Sequence, residues 1–410
     1  MEAVNKLFLQ AVKASLVGKT LDWGNEVTAD QYAQMLELAQ NHHVLPMFYE
    51  ATYRCSAALG IEPQRLSACR RTVLQSVSMQ SLQTDSFLKL NRALRERGID
   101  LLVVKGIVCR SLYPMPDHRY SGDEDLLCPP DQVDACHQAL LELGLVPCHD
   151  RLDAYEVPYR RDDGTLYIEL HKQLFPGDSP VFEDYNPFFQ DVFQKAERMH
   201  IGDEEVLTLP CTQHLLFLIL HAFKHFLHSG FGIRQVCDIV LYANAWGKDV
   251  DWDYLTEKCT ATRSIKFAAA LFAIGKHYLC FDPKAACYPD TWRQIRVDET
   301  ALLEDLLRGG IYGASDANRL HSSNMTLSAA AADKQGKRSG GVMQTVFPSA
   351  KALENRYPYL QSKPFLLPAA WIQRLAGYAK ENAQGNGNVK KALDNGKNRI
   401  KLLKKYDIID

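Results

Sequence analysis

The sequence predicts an α+β fold in which a small mixed sheet is embedded between N-terminal and C-terminal helical regions. Apolar residues recur at helical spacing from Met1 to about Arg97 and again after Pro210. At Gly98 the pattern changes to short, β-branched runs punctuated by Gly and Pro, and these continue to His171. The chain therefore divides into an N-terminal helical region (1–97), a sheet-bearing core (98–209), a helical domain packing on the core (210–310), a loop or linker (311–345) and a C-terminal helical region (346–410).

In the first region, Leu7-Phe8-Ala11-Val12-Leu16 and Tyr32-Met35-Leu36-Leu38-Ala39 each trace one helix face. Thr28 with Gln31 three residues later forms a capping box for the second helix. A long polar-rich helix follows from about Pro63 to Arg97. In the core, Ile99 to Val104 reads as a strand, Lys105-Gly106 as a tight turn, and Ile107 to Tyr113 as a helix. Asp123 to Cys128 is the second strand, and Pro129-Pro130-Asp131 opens a helix that Gly144 ends. Thr165 to His171 is the third strand, reached through the turn Asp162-Asp163-Gly164. Helices follow at Thr212–Leu227, Ile233–Trp246, near 251–280 and near 298–308. The Gly-, Ala-, Ser- and Asn-rich stretch from Gly309 to Gly341 reads as a loop. Helix resumes at Pro368–Ala379, breaks at Gln384–Asn388, and ends in the basic segment Val389–Lys405.

With 410 residues, 46% hydrophobic and 23% charged, the chain has the make-up of a globular protein of two or three domains. A formal net charge of -2 gives no reason to invoke nucleic acid or an anionic membrane. No run is apolar enough to span a bilayer and the start lacks a leader pattern, so the expected location is cytoplasmic, with no membrane partner. The eleven cysteines show no Cys-x-x-Cys spacing, which argues against a disulfide framework or a zinc site.

The chemistry concentrates at Arg119-Tyr-Ser-Gly-Asp-Glu-Asp-Leu-Leu-Cys128. Side chains alternate along a strand, so Asp123 and Asp125 share a face while Glu124 points away. A solvated acidic turn is the plain reading. A divalent cation between the two is the sharper one, because a hard ion takes oxygen ligands and cancels their repulsion.

The run Leu102-Val-Val-Lys-Gly106, Leu112-Tyr-Pro, Arg119, Gly122-Asp-Glu-Asp-Leu-Leu127 and Ile168-Glu-Leu-His171 resembles the family NTP_transf_5 of uncharacterised bacterial nucleotidyltransferases, divergent relatives of the DNA polymerase β type. The similarity extends through most of the chain. It implies a nucleotidyltransferase core in which Asp123, Asp125 and Glu169 are catalytic and hold Mg²⁺ (or Mn²⁺), with Glu169 orienting or deprotonating the acceptor. An NMP would pass from an NTP such as ATP to an unidentified small-molecule, peptide or protein acceptor, with release of pyrophosphate. Gly106 would let a phosphate approach backbone N–H groups. The sequence departs from the wider superfamily at Ile107, where Ser or Gly is usual, and Lys105 is the candidate to supply that contact as a cation. Arg119 would neutralise phosphate or pair with Asp123, and Ser121 would shape the lead-in to the strand.

His221, Lys224 and His225 share a helix face, with Arg234 and Asp238 one turn apart on the next helix. No glutamate of the His-Glu-x-x-His type lies between the histidines, so a zinc hydrolase is weak. An interhelical network of Lys224 with Asp238 is the favoured reading, and His221, Lys224 and Asp238 are further candidates for nucleotide contact. The terminal helix carries Lys390, Lys391, Lys397, Arg399, Lys401, Lys404 and Lys405, read as a solvated face, with nucleic acid less favoured. Two rivals stand beside transfer. One is a catalytically inactive nucleotide-binding or interaction module, raised by Ile107; the other is an RNA-directed or antitoxin-like enzyme, raised by the basic tail.

Overall fold

Residues 1–149, 151–228, 230–310, 317–334, 350–353, 357–374 and 389–410 are described by the computed structural model. The chain opens with helices α1 (Ala3–Leu16), α2 (Ala29–Asn41), α3 (Leu45–Thr52), α4 (Ser56–Leu59) and α5 (Pro63–Arg95). The capping box at α2 is present: the Gln31 amide donates to Thr28 Oγ1 at 3.2 Å, and the Thr28 amide donates to Gln31 Oε1 at 3.0 Å. At 33 residues α5 runs about 50 Å. It buries Val73, Gln80, Phe87, Leu90 and Leu94, and near its end Asn91 and Arg95 both donate to the Glu205 carbonyl.

The sheet is built from β1 (Leu102–Val103), β2 (Glu124–Leu127), β3 (Leu145–Pro147), β4 (Glu156–Arg161), β5 (Tyr167–His171), β6 (Glu197–Ile201) and β7 (Glu204–Thr208). Their order across the described sheet is β3-β4-β5-β2-β1-β7-β6. The pairs β2–β5 and β1–β7 are parallel, and the remaining neighbours are antiparallel. All of β1 and β2 is buried, which the apolar pair Leu102-Val103 explains for β1, while β2 buries Glu124 and Asp125 along with Leu126 and Leu127. The short helix α6 (Gly106–Arg110) packs on both, and α7 (Val133–Glu142) packs on β3. Gly144 closes α7 with φ +79°, the left-handed conformation that suits glycine at a helix end.

The sequence reading did not anticipate β3, β4, β6 and β7. Pro158 sits inside β4 and speaks against a strand, yet its carbonyl accepts the Cys148 amide at 2.9 Å. β6 is an edge strand with polar, largely exposed residues and lacks the apolar alternation that marks a half-buried strand.

Helices α8 (Cys211–His228), α9 (Ile233–Trp246), α10 (Trp252–Ala261), α11 (Ile265–Tyr278), α12 (Asp290–Arg293) and α13 (Glu299–Gly309) follow, close to the expected places. The eleven cysteines are free thiols, most of them buried. By contacts the chain forms two compact units, Met1–Ala222 with Gly232–Leu307, and Phe223–Phe231 with Arg308–Asp410.

In the second unit the expected loop is corrected. Residues Ala317–Lys334 form helix α14, favoured by the run Ala329-Ala-Ala-Ala332. The terminal helix Val389–Lys405 packs on α14 closely enough that a Cβ at Gly396 would meet Met325 Sδ at 2.3 Å. Arg399 does not belong to a solvated face: it is 2% exposed and donates to the carbonyls of Phe226 and His228. Residues 367–374 are helical. The rest of the helix expected to Ala379, the break at Gln384–Asn388, the Gly-rich segment 335–341 and the side chains of Lys390 and Lys391 lie outside the described residues.

One buried ion pair fastens the loop before β2 to α9. Arg119, with no exposed surface, donates from Nε and Nη2 to the two oxygens of Asp238 at 2.8 and 2.7 Å, and Tyr113 donates its hydroxyl at 2.7 Å. Asp238→Asn leaves that guanidinium buried without a full counter-charge, at a cost of about 3–5 kcal/mol. Urea unfolding should show that loss directly. An unchanged midpoint with weakened nucleotide binding would instead support the contact role read from the sequence.

Candidate active site

Parallel pairing of β2 with β5 sets Asp125 opposite Glu169 and Leu127 opposite His171. Because alternate residues share a face, Glu169 and His171 stand on the side that Asp125 occupies. His171 Nε2 lies 3.2 Å from Asp125 Oδ1 and 3.9 Å from Glu169 Oε2, while Nδ1 is 3.7 Å from Glu156. The remaining Asp125 oxygen, Oδ2, is 2.7 Å from Lys105 Nζ, with both side chains buried.

Electrostatics separate the two acids. Burial pushes the Asp125 carboxyl up, but the charge of Lys105, the hydrogen bond with His171 and the charges of His171 and His221 hold it well below the usual carboxylate range. Glu169 goes the other way. Burial, then the charges of Asp125 and Asp123, raise it to about 7. One strand pair thus holds an ionised carboxylate beside one that titrates near neutrality.

The predicted residues are placed unequally. Asp125 and Glu169 are brought together on neighbouring strands. Asp123 lies just outside β2, half-buried, close enough for its charge to raise Glu169; the three-residue group whose ligand atoms lie within 4.8 Å of one another is Asp125, Glu169 and His171. Lys105 pairs with Asp125 in the described site. Ser121 lies just before β2: its hydroxyl donates to the Asp123 carbonyl at 2.8 Å, and its amide donates to Gln80 Oε1 at 2.7 Å.

Gly106 has a role the sequence reading did not assign. Its φ is +41°, and a Cβ there would lie 1.7 Å from Glu124 Oε2. Glu124 does point away from Asp123 and Asp125, but into the interior rather than solvent. It accepts the Ile107 amide at 2.7 Å and pairs with buried Arg110. The Ile107 amide is therefore engaged by a carboxylate of the chain itself, where an approaching phosphate was expected.

Of the two partners expected for Arg119, Asp123 is not the one it pairs with; its ion pair is with Asp238. The expected Lys224–Asp238 network is thereby corrected, since Arg119 and Tyr113 take up the Asp238 carboxylate. His221 is 8% exposed, and its charge reaches Asp125. Lys224 lies three residues further along α8, in the second unit.

His171, Glu156, Gln80 and Arg110 were not assigned roles from the sequence. His171 carried a signal, since it follows Glu169 by two residues on the same strand and so shares its face. Gln80 carried none, because forty residues separate it from Ser121 and only tertiary packing joins them.

The donor set suits a divalent ion. Two carboxylates and an imidazole, one raised carboxyl among them, are the ligands such an ion takes, and like charges brought this close favour a cation between them. A carboxylate pair on adjoining strands is the equipment of phosphoryl and nucleotidyl transfer. The family is narrower: residues 28–279, more than half of the chain, match the family described as uncharacterised nucleotidyltransferase, and the chain belongs to it. Membership makes it a transferase and supports nucleotidyl transfer as its class of activity. Among solved structures, the antibiotic-resistance factor ANT(2'')-Ia, determined in solution, is 14% identical, with 49% of this chain and 100% of that one covered and a TM-score of 0.33. No curated protein matches the sequence.

Two outcomes follow from this geometry. Gly106→Ala places a methyl group on the Glu124 carboxylate and strains a positive φ, costing about 3 kcal/mol or more. A double-mutant cycle with Glu124→Ala should recover part of that loss; a strictly additive cycle would show that Glu124 is not what the methyl group meets. The second concerns pH. The folded Glu169 carboxyl holds its proton more tightly than the unfolded one, so its contribution is complete below about pH 4.5 and is lost as pH rises through about 7. The span is up to about 3 kcal/mol in metal-free protein. Glu169→Gln should flatten that part of the stability profile between pH 5 and 8, and a profile unchanged by the substitution would contradict it.

Proposed function

We propose that the chain moves a nucleoside monophosphate from an NTP to an acceptor hydroxyl or similar group, with release of pyrophosphate. The observation that carries this reading is the register of Asp125 against Glu169 on parallel strands within a nucleotidyltransferase family member. When bound, Mg²⁺ or Mn²⁺ would supply charge neutralisation for the phosphates and acidify the acceptor; Asp125 and Glu169 would hold it, with His171 beside them and Asp123 at the rim.

The chain's own residues then have separate tasks. Asp125, kept ionised, provides a fixed negative charge. Glu169, whose carboxyl is raised to about 7 in the metal-free protein, is the residue to orient the acceptor or take its proton. His171 fixes the Asp125 carboxylate through its hydrogen bond. Lys105, on a flexible stem, is positioned to exchange its carboxylate partner for a phosphate oxygen when nucleotide arrives.

A second reading, binding without transfer, is favoured by one observation. Lys105 already occupies Asp125 Oδ2, and Glu124 already occupies the Ile107 amide. Pyrophosphate release measured with ATP, GTP, CTP and UTP plus Mg²⁺ or Mn²⁺, in a cell extract that supplies acceptors, separates the two. Transfer predicts release, an NMP mass added to some product, and a fall of about 10²-fold or more in Asp125→Asn and Glu169→Gln. Tight nucleotide binding with no release would favour the second reading.

A further inference from the structure

Helix α9 begins with a buried cation whose donor capacity is only partly used. Arg234, in its first turn, is 5% exposed, yet its Nε and Nη1 atoms have no hydrogen-bond partner among the described residues. Next to it in sequence, Gln235 is also 5% exposed, and its Nε2 is a buried donor with no partner. The Gln235 carbonyl oxygen is engaged, accepting the Gly232 amide at 2.7 Å, so what is left over is donor capacity alone.

The nearby acid answers the charge of Arg234, which helps lower the Asp238 carboxyl, but leaves the unpaired N–H groups without an acceptor. Asp238 is the acid one turn along α9, and Arg119 and Tyr113 already take both its oxygens. The first turn of α9 contains no acidic residue. A helix N-terminus carries a partial positive charge of its own, so a cation there is the wrong sign. Buried guanidinium N–H groups left without acceptors carry a desolvation cost, and such a cost persists where a ligand of opposite charge removes it.

We propose that Arg234 and Gln235, at the N-terminus of α9, form a binding site for a phosphoryl oxyanion, the polyphosphate of the nucleotide. A phosphoryl group offers several acceptor oxygens to a guanidinium fork, an amide and a helix N-terminus together, the combination these residues lack. The position is consistent with this. Burial raises the Cys109 thiol to about 12, and its surroundings include the charges of Asp238, Arg119, Lys105 and Arg234, so Arg234 and the Asp125 partner Lys105 border one region. This also reassigns α9: Asp238 holds Arg119, and Arg234 is the residue left to meet ligand.

The choice of a nucleotide polyphosphate rests on the transfer reading; the presence of an anion site does not. Calorimetric titration of the full chain with sodium pyrophosphate, at constant ionic strength and with chelator present, tests the site without metal or turnover. Wild type should bind saturably, Arg234→Met should bind at least tenfold more weakly, and Arg234→Lys should fall between. In anion-free buffer Arg234→Met should melt at or above the wild-type temperature, because it removes buried donors that lack acceptors. No binding by wild type, equal binding by Arg234→Met, or an Arg234→Met protein that melts several degrees lower would each overturn the proposal. Pyrophosphate binding that follows this pattern in a protein with no NTP turnover would remove the transfer reading and leave the site standing.

Discussion

Two carboxylates brought to facing positions by the parallel pairing of β2 with β5 repel each other in a buried setting, and the surrounding structure is arranged around that repulsion. Asp125 is held ionised because Lys105 and His171 each take one of its oxygens. Glu169 has a longer contact with His171, 3.9 Å, and burial with the neighbouring carboxylates outweighs it, so Glu169 yields and holds its proton up to about pH 7. The asymmetry does not come from residue type. It comes from where the strand register puts each acid relative to one ammonium group, and that is what gives the pair two different chemical roles.

The same economy runs through the run Asp123-Glu124-Asp125. Three consecutive acids would repel on an open surface, but here each has a distinct environment. Asp123 stays half-buried at the rim, Glu124 turns inward to Arg110 and the Ile107 amide, and Asp125 faces the cluster. Gly106 is required because the inward-turned Glu124 fills the space a side chain would need. A second buried pair, Arg119 with Asp238, ties the loop before β2 to α9. Removing either ion pair would therefore disturb the position of β2 as well as the local charge.

Much of this architecture was legible in the sequence, and the parts that were not have physical reasons. The strands carrying the acids are short and set their carboxylates among apolar residues between turn signals, so β2 and β5 stood out. Lys105-Gly106 marked a turn, and the capping box at Thr28 marked α2. By contrast β4 contains Pro158 and β6 is a polar edge, so neither shows the usual pattern. α14 was hidden in a Gly- and Ser-rich neighbourhood whose alanines favour helix. At the site, strand alternation singled out Asp125 with Asp123, and the family resemblance supplied Glu169. The partners of Arg119 and Ser121 did not, since Asp238 and Gln80 lie 119 and 41 residues away and only packing brings them near. The inward role of Glu124 was half legible: alternation gave its direction, but not that the interior would supply Arg110.

Whether Asp125 and Glu169 share a cation is the point on which the account rests. Mn²⁺ titrated into the purified, chelator-stripped chain, followed by electron paramagnetic resonance of the free ion, measures it without any assumption about acceptor or nucleotide. The account predicts saturable binding that weakens by about tenfold or more in Asp125→Asn and again in Glu169→Gln, with each variant still folded. Saturable binding of equal strength in wild type and both variants, or no binding by the wild type, would contradict it.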